Sequence, residues 1–168
     1  MVEVIAMRKC HSKQYTIGID VGAKGSLCVM ENTSIKTLIP FKSIKSYLKE
    51  LLIAKQVYSL SYLSIWVESV HSMPRQGVKS MFSFGQRLGE VIGVLEAYEL
   101  PYNLVTPQQW QKKLVEQYDF PIDKNNIKLS IGEFIKKKYG KSVNLVKRTG
   151  SINTDLTDSI AIALTYSR

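Results

Sequence analysis

The sequence is poor in several residues that build specialised sites. Of its 168 residues only two are cysteine, Cys10 and Cys28, and they form no C-x-x-C pair. Neither a thiolate zinc site nor a disulfide framework is expected from them, and the cytoplasm is the default compartment. Histidine also occurs only twice. No apolar run reaches the roughly 18 residues of a membrane span, so no membrane partner is expected. The opening stretch MVEVIAMRKCHSK carries no long apolar core of the signal-peptide kind. Acidic residues are scarce too, 14 against 23 Lys and Arg, which leaves a formal charge of +9. Aspartate stands at only five positions, 20, 119, 123, 155 and 158.

What is present is ordinary for a globular chain: 45% apolar and 22% charged residues. The length is enough for one domain with a proper core. Solubility alone would account for some excess of lysine. A surplus this large on a small chain also favours a polyanionic partner, and nucleic acid is the commonest.

Residues 1–14 read as a short N-terminal extension, and 15–168 as one domain. YTIGIDVG alternates like a strand, Gly22 and Gly25 supply a turn, and SLCVMEN returns as a second strand. SIKTLIP is a third, stopped by Pro40. FKSIKSYLKELLIAKQ has the spacing of an amphipathic helix. It leads to SYLSIWVESV, a buried strand parallel to the first. A long helix is expected from about Val78 to Leu100. Gly85, Gly89 and Gly93 recur in it at every fourth position, which points to close approach by the sheet or by a partner helix. YNLVTP is a short fifth strand. Thr106 and Pro107 open the next helix as N-cap and first residue. Asp123 is expected to cap KNNIKLSIGEFIKKKYG, which Gly140 ends. KSVNLVKRTGSINT is a basic loop, and the last helix begins near Asp155. The order βββαβαβ followed by helices predicts an α/β fold.

Four carboxylates stand out against this background. Asp20 sits within an apolar strand, between Ile19 and Val21, and Glu68 closes the most apolar one. A buried charge is costly unless it is paired or binds metal. Each acid alone has a bland explanation, as a turn cap or a solvated strand end. The crossover topology, however, makes the two strands neighbours and sets Asp20 beside Glu68, where two unpaired carboxylates would repel. Asp155 and Asp158 lie one turn apart on the face of one helix. Capping and the helix dipole explain the first well and the second adequately. A set of three or four carboxylates without histidine or cysteine is a hard-oxygen site, suited to Mg²⁺ or Mn²⁺. Two such ions would serve phosphodiester cleavage, and the basic surface would attract the phosphate backbone.

Taken together, GIDVG with Asp20, VES with Glu68, FSFGQRLGEVIGVLEA, LPYNLVTPQQWQKKL and DLTDSIAIAL with Asp155 and Asp158 form a recognisable series. The chain resembles the RuvC-like Holliday junction resolvases of the RNase H-like superfamily, in particular the small phage and poxvirus-type members. That resemblance implies a five-stranded mixed sheet of order 3-2-1-4-5 flanked by helices. It implies a homodimer with two active sites, in a bacterial or infected-cell cytoplasm. It implies nicking of two strands of like polarity at four-way DNA junctions, and of related branches such as forks, with two Mg²⁺ per site. Asp20 would bridge both ions, Glu68 would hold one, and Asp155 and Asp158 would complete the set. Lys112, Lys113, Lys124 and Lys128 are the candidate phosphate contacts, with a solvated helix face as the plain alternative for each. Arg75 and His71 are further DNA-binding candidates, in a segment where some family members place an aromatic wedge and this chain has SVHSMPRQG.

Other functions remain open at this point. A nuclease of the same superfamily acting on RNA–DNA hybrid or RNA would use the same acids. A catalytically inactive DNA-binding module would keep the charge but need not keep all four carboxylates. An actin-like ATPase is suggested only by D-x-G-x-x-G, and such enzymes need a second domain for which 168 residues leave no room.

Overall fold

The structure is a computed structural model that describes residues 13–58, 60–69 and 77–167. Its first three strands are β1 (Tyr15–Ile19), β2 (Ser26–Glu31) and β3 (Ser34–Pro40), joined as an antiparallel meander. Helix α1 (Ile44–Val57) carries the chain over to β4 (Leu63–Glu68), which pairs in parallel with β1. After α2 (Val78–Ala97), β5 (Asn103–Val105) joins β4 in parallel. The sheet order is β3-β2-β1-β4-β5, the expected one. Helices α3 (Pro107–Tyr118), α4 (Ile127–Tyr139) and α5 (Thr154–Tyr166) follow.

Side chains alternate across the two faces of this sheet, as strand geometry requires. Ile17, Ile19, Leu27, Val29, Ile65 and Val67 pack with Tyr47, Leu51, Val91 and Leu95 under α1 and α2. Cys28 and Met30 face the other way, into a second cluster with Trp110, Leu114, Ile131, Ile135 and the apolar run Ile160–Leu164. Helix α5 is buried without a break from Thr157 to Thr165, and its middle, Ile160–Leu164, is apolar all round to match. It crosses β1 at Gly18. A Cβ there would lie 2.3 Å from the Ser159 carbonyl oxygen and 2.5 Å from the Ala163 nitrogen, so only glycine lets helix and strand meet.

Three local expectations change. Asp123 does not cap α4; its carboxylate accepts from the Asn125 N–H in a tight turn, and Asn126 is the N-cap, accepting from the Leu129 N–H at 3.3 Å. Helix α2 ends at Ala97 because Glu99 takes a positive φ of 52°, and the Leu100 N–H turns back to the Leu95 carbonyl. The glycines of α2 do not serve the sheet. A Cβ at Gly85, Gly89 or Gly93 would meet nothing within 4 Å among the described residues, so that face of the helix is open.

Candidate active site

Strand alternation decides where the acids point. Asp20 follows Gly18 by two residues and Glu68 follows Trp66 by two, so both turn to the face that α5 covers. The register pairs Ile19 with Val67, which sets Asp20 and Glu68 at adjacent strand ends. Both are buried. The Gly22 N–H donates to Asp20 Oδ1 at 2.8 Å, and the buried Trp110 Nε1–H donates to Glu68 Oε1 at 2.9 Å. Trp110 is held there by the start of α3. Thr106 and Gln109 form a reciprocal capping box, and Pro107 occupies the first helical position.

The N-terminus of α5 brings the other pair. Ser26 Oγ on β2 donates to the Asp155 carbonyl at 2.7 Å and lies 2.6 Å from Ser159 Oγ. These bonds tie the first turn of α5 to the sheet. The helix cap is Asn153 with no side-chain bond, so neither aspartate caps. Instead each faces a cation: Lys128 Nζ lies 2.8 Å from Asp158 Oδ2 and Lys147 Nζ 3.2 Å from Asp155 Oδ2. Asp158 Oδ1 is buried and has no hydrogen-bond partner among the described residues. Among the described residues, no three acid, histidine or cysteine side chains stand grouped where they could hold a metal ion.

Burial dominates the electrostatics. It raises the pKa of Asp20, with Asp155 adding to the rise and the Gly22 N–H and Lys128 opposing it. Burial, then the charges of Asp20 and Asp158, lift Glu68 to about 8 against the hydrogen bond from Trp110. Burial lifts Asp158 to about 6 even with Lys128 beside it. Burial also works against the charge on Lys128, but Asp158, Asp20 and Glu68 outweigh it and its pKa stands above the usual lysine range.

A stability change with pH follows. Glu68 and Asp158 bind protons more tightly folded than unfolded, where their values return to 4.5 and 3.8. Their contribution is therefore full below about pH 4 and is lost as pH rises through about 6 and about 8. Metal-stripped protein should melt at a lower temperature at about pH 8.5 than at about pH 5, and Glu68→Gln should flatten the upper part of that fall. A wild-type profile level between those pH values would contradict this account.

No protein-family model matches the chain, and neither does any curated protein. Solved structures do. RuvC of Thermus thermophilus in complex with a Holliday junction substrate aligns over 91% of this chain and 92% of that one, at 17% identity and a TM-score of 0.54. The fold is that of RuvC. A second Thermus thermophilus RuvC structure covers the same shares, 91% and 92%, at 16% identity and a TM-score of 0.48.

Within this RuvC-like frame the predicted basic residues scatter. Lys128, near the start of α4, joins the carboxylates. Lys112 pairs loosely with Glu116 at 3.9 Å, and Lys113 sits over the Tyr166 ring at 4.3 Å. Both line a cavity of about 450 Å³ with Trp66, Leu104 and Gln109, apart from the acid cluster. Lys124 is exposed in the turn before α4. Arg75 and His71, like residues 1–12 of the predicted extension, lie outside the described residues. Two neighbours of the acids escaped the sequence analysis. Trp110 gave a weak signal, as an aromatic four residues beyond a capping threonine. Lys147 gave none beyond belonging to a basic loop.

Proposed function

We propose that the chain is a divalent-metal-dependent endonuclease that cuts branched DNA, four-way junctions above all, with residues 15–168 acting as one nuclease domain. The carrying observation is the convergence of Asp20, Glu68, Asp155 and Asp158 from three distant segments onto one end of the sheet. Burial, with the neighbouring acids adding to it, raises the pKa of three of them, and carboxylates perturbed in this way cluster at functional sites. The RuvC-like fold, seen in Thermus thermophilus RuvC with a Holliday junction, supports the choice of substrate. The net charge of +9 supports a nucleic-acid partner.

The residues fit Mg²⁺ or Mn²⁺. The donors are all carboxylate oxygens, and one of them, Asp158 Oδ1, is buried without a partner among the described residues. Asp20, Glu68, Asp155 and Asp158 would hold the ions. When bound, such ions supply an activated water and charge for the leaving oxygen. The chain supplies the orientation. The Gly22 N–H and Trp110 Nε1–H aim Asp20 and Glu68. Lys128 and Lys147 neutralise Asp158 and Asp155 in the metal-free protein. Release from these acids would free two ammonium groups for phosphate oxygens.

A homodimer completes the reading. The open glycine face of α2, with Val78 and Phe82 exposed near its start, would accept the same face of a second copy. Two sites would then nick two strands of like polarity. With Mg²⁺, purified protein should nick a synthetic four-way junction well ahead of linear duplex and of RNA–DNA hybrid, at symmetric positions. Equal cutting of junction and duplex, or preference for the hybrid, overturns the assignment.

A further inference from the structure

The basic loop before α5 is a built hairpin. Val146 bridges to Ile152, the Lys147 N–H donates to the Ser151 carbonyl at 2.8 Å, and the Asn153 N–H donates to the Leu145 carbonyl at 2.9 Å. The Gly150 N–H closes the turn onto the Lys147 carbonyl at 2.9 Å, with Gly150 at a φ of 83° that favours glycine. Leu145 is buried, and Ile152 packs against Gly132 of α4. The hairpin runs into α5 at Asn153 with no linker, so its tip has a fixed place beside Asp155. The Lys147–Asp155 contact marks how close that is. The tip itself is Lys147, Arg148, Thr149 and Gly150, all exposed. Arg148 has no ion-pair partner among the described residues.

We propose that this hairpin is a second nucleic-acid contact, in which Arg148 binds a backbone phosphate of the strand lying across the carboxylate end of the sheet. It rests on the nucleic-acid part of the function proposed above. A guanidinium matches a phosphate's two oxygens with a fork of donors. A contact on a hydrogen-bonded hairpin loses little entropy when the strand arrives. Tip and acids share one rigid path through Asn153, so the same contact sets how far a bound strand stands from the carboxylates. Arg148 is thus a positioning residue.

The test reads binding rather than cleavage. Wild type, Arg148→Gln and Lys49→Gln are titrated against a fluorescent four-way junction and the matching duplex. Lys49 is an exposed lysine of α1, on the opposite side of the sheet from α5. Salt is varied between about 50 and 200 mM in EDTA. One lost phosphate contact should reduce the log–log salt slope by about 0.9 and weaken binding roughly eightfold at about 0.1 M salt, the factor that slope gives relative to about 1 M. Arg148→Gln should show this on both DNAs, and Lys49→Gln should match wild type. An unchanged slope for Arg148→Gln overturns the contact, as does an equal loss in Lys49→Gln, which would mean charge alone. The two proposals separate cleanly. A reduced Arg148→Gln slope in a protein that cuts no junction keeps the contact and removes the nuclease. Junction cutting with an unchanged slope does the reverse.

Discussion

Asp20→Asn is expected to lower junction cleavage below about one-hundredth of wild type, the scale on which a preorganised charge acts in a transition state. The exchange is close to isosteric. An asparagine Oδ1 still accepts from the Gly22 N–H, so the turn after β1 keeps its anchor. What disappears is one negative charge from the most crowded part of the cluster, where Asp20 raises the pKa of both Glu68 and Asp158. Removing it relieves repulsion in the metal-free protein. The variant should melt no lower than wild type, and higher at alkaline pH. Junction affinity in EDTA should be equal or better, because one charge that repels phosphate is gone. The pattern of lost cleavage with intact stability and binding separates a catalytic role from a structural one. Cleavage above about a tenth of wild type would remove Asp20 from the chemistry.

Gly18→Ala should be among the most damaging small substitutions in the fold. The new Cβ would meet backbone atoms of α5, at 2.3 and 2.5 Å, and no side-chain rotation can relieve that. Overpacking of this kind costs about 3 kcal/mol or more, which at this chain length corresponds to a fall in Tm of roughly 6–12 °C. Strand or helix must separate. Either movement carries Asp155 and Asp158 away from Asp20 and Glu68, and a misplacement of about 1 Å can cost about a hundredfold in rate. Thermal melts and cleavage rates should therefore fall together, unlike the Asp20→Asn pattern. A variant with wild-type Tm and activity would show that α5 does not approach β1 so closely.

Much of this was legible because local rules and topology agreed. Turn glycines, Pro40 and strand alternation set the meander, and the crossover made β1 and β4 neighbours. From that alone Asp20 and Glu68 fall side by side. The opening of α3 was equally plain, since Thr106, Pro107 and Gln109 form a signal within four residues. The cap of α4 was misread because Asp123 and Asn126 are both good caps three residues apart, and only the turn around Asn125 settles which is used. The α2 glycines could have served the sheet or a partner helix, and spacing is the same in both cases. Lys147 was invisible for a different reason. Its place beside Asp155 depends on a hairpin with a single bridge, too short to leave an alternating pattern. The sequence pointed to repulsion between Asp20 and Glu68, whereas burial contributes most to the raised pKa values of the acids.

The bond from Ser26 to the Asp155 carbonyl joins residues 129 positions apart in the chain. A ribosome adds about 5–20 residues per second, so β1, β2 and β4 emerge many seconds before the helix that covers them. During that interval the nascent chain holds Asp20 and Glu68 without Asp155 or Asp158, and has a sheet face with nothing on it. The assembled site thus waits on α5, the last of its own elements to be synthesised. On the function proposed above, a growing polypeptide that met DNA would lack two of the four site acids, and cutting would wait until α5 had docked against Gly18.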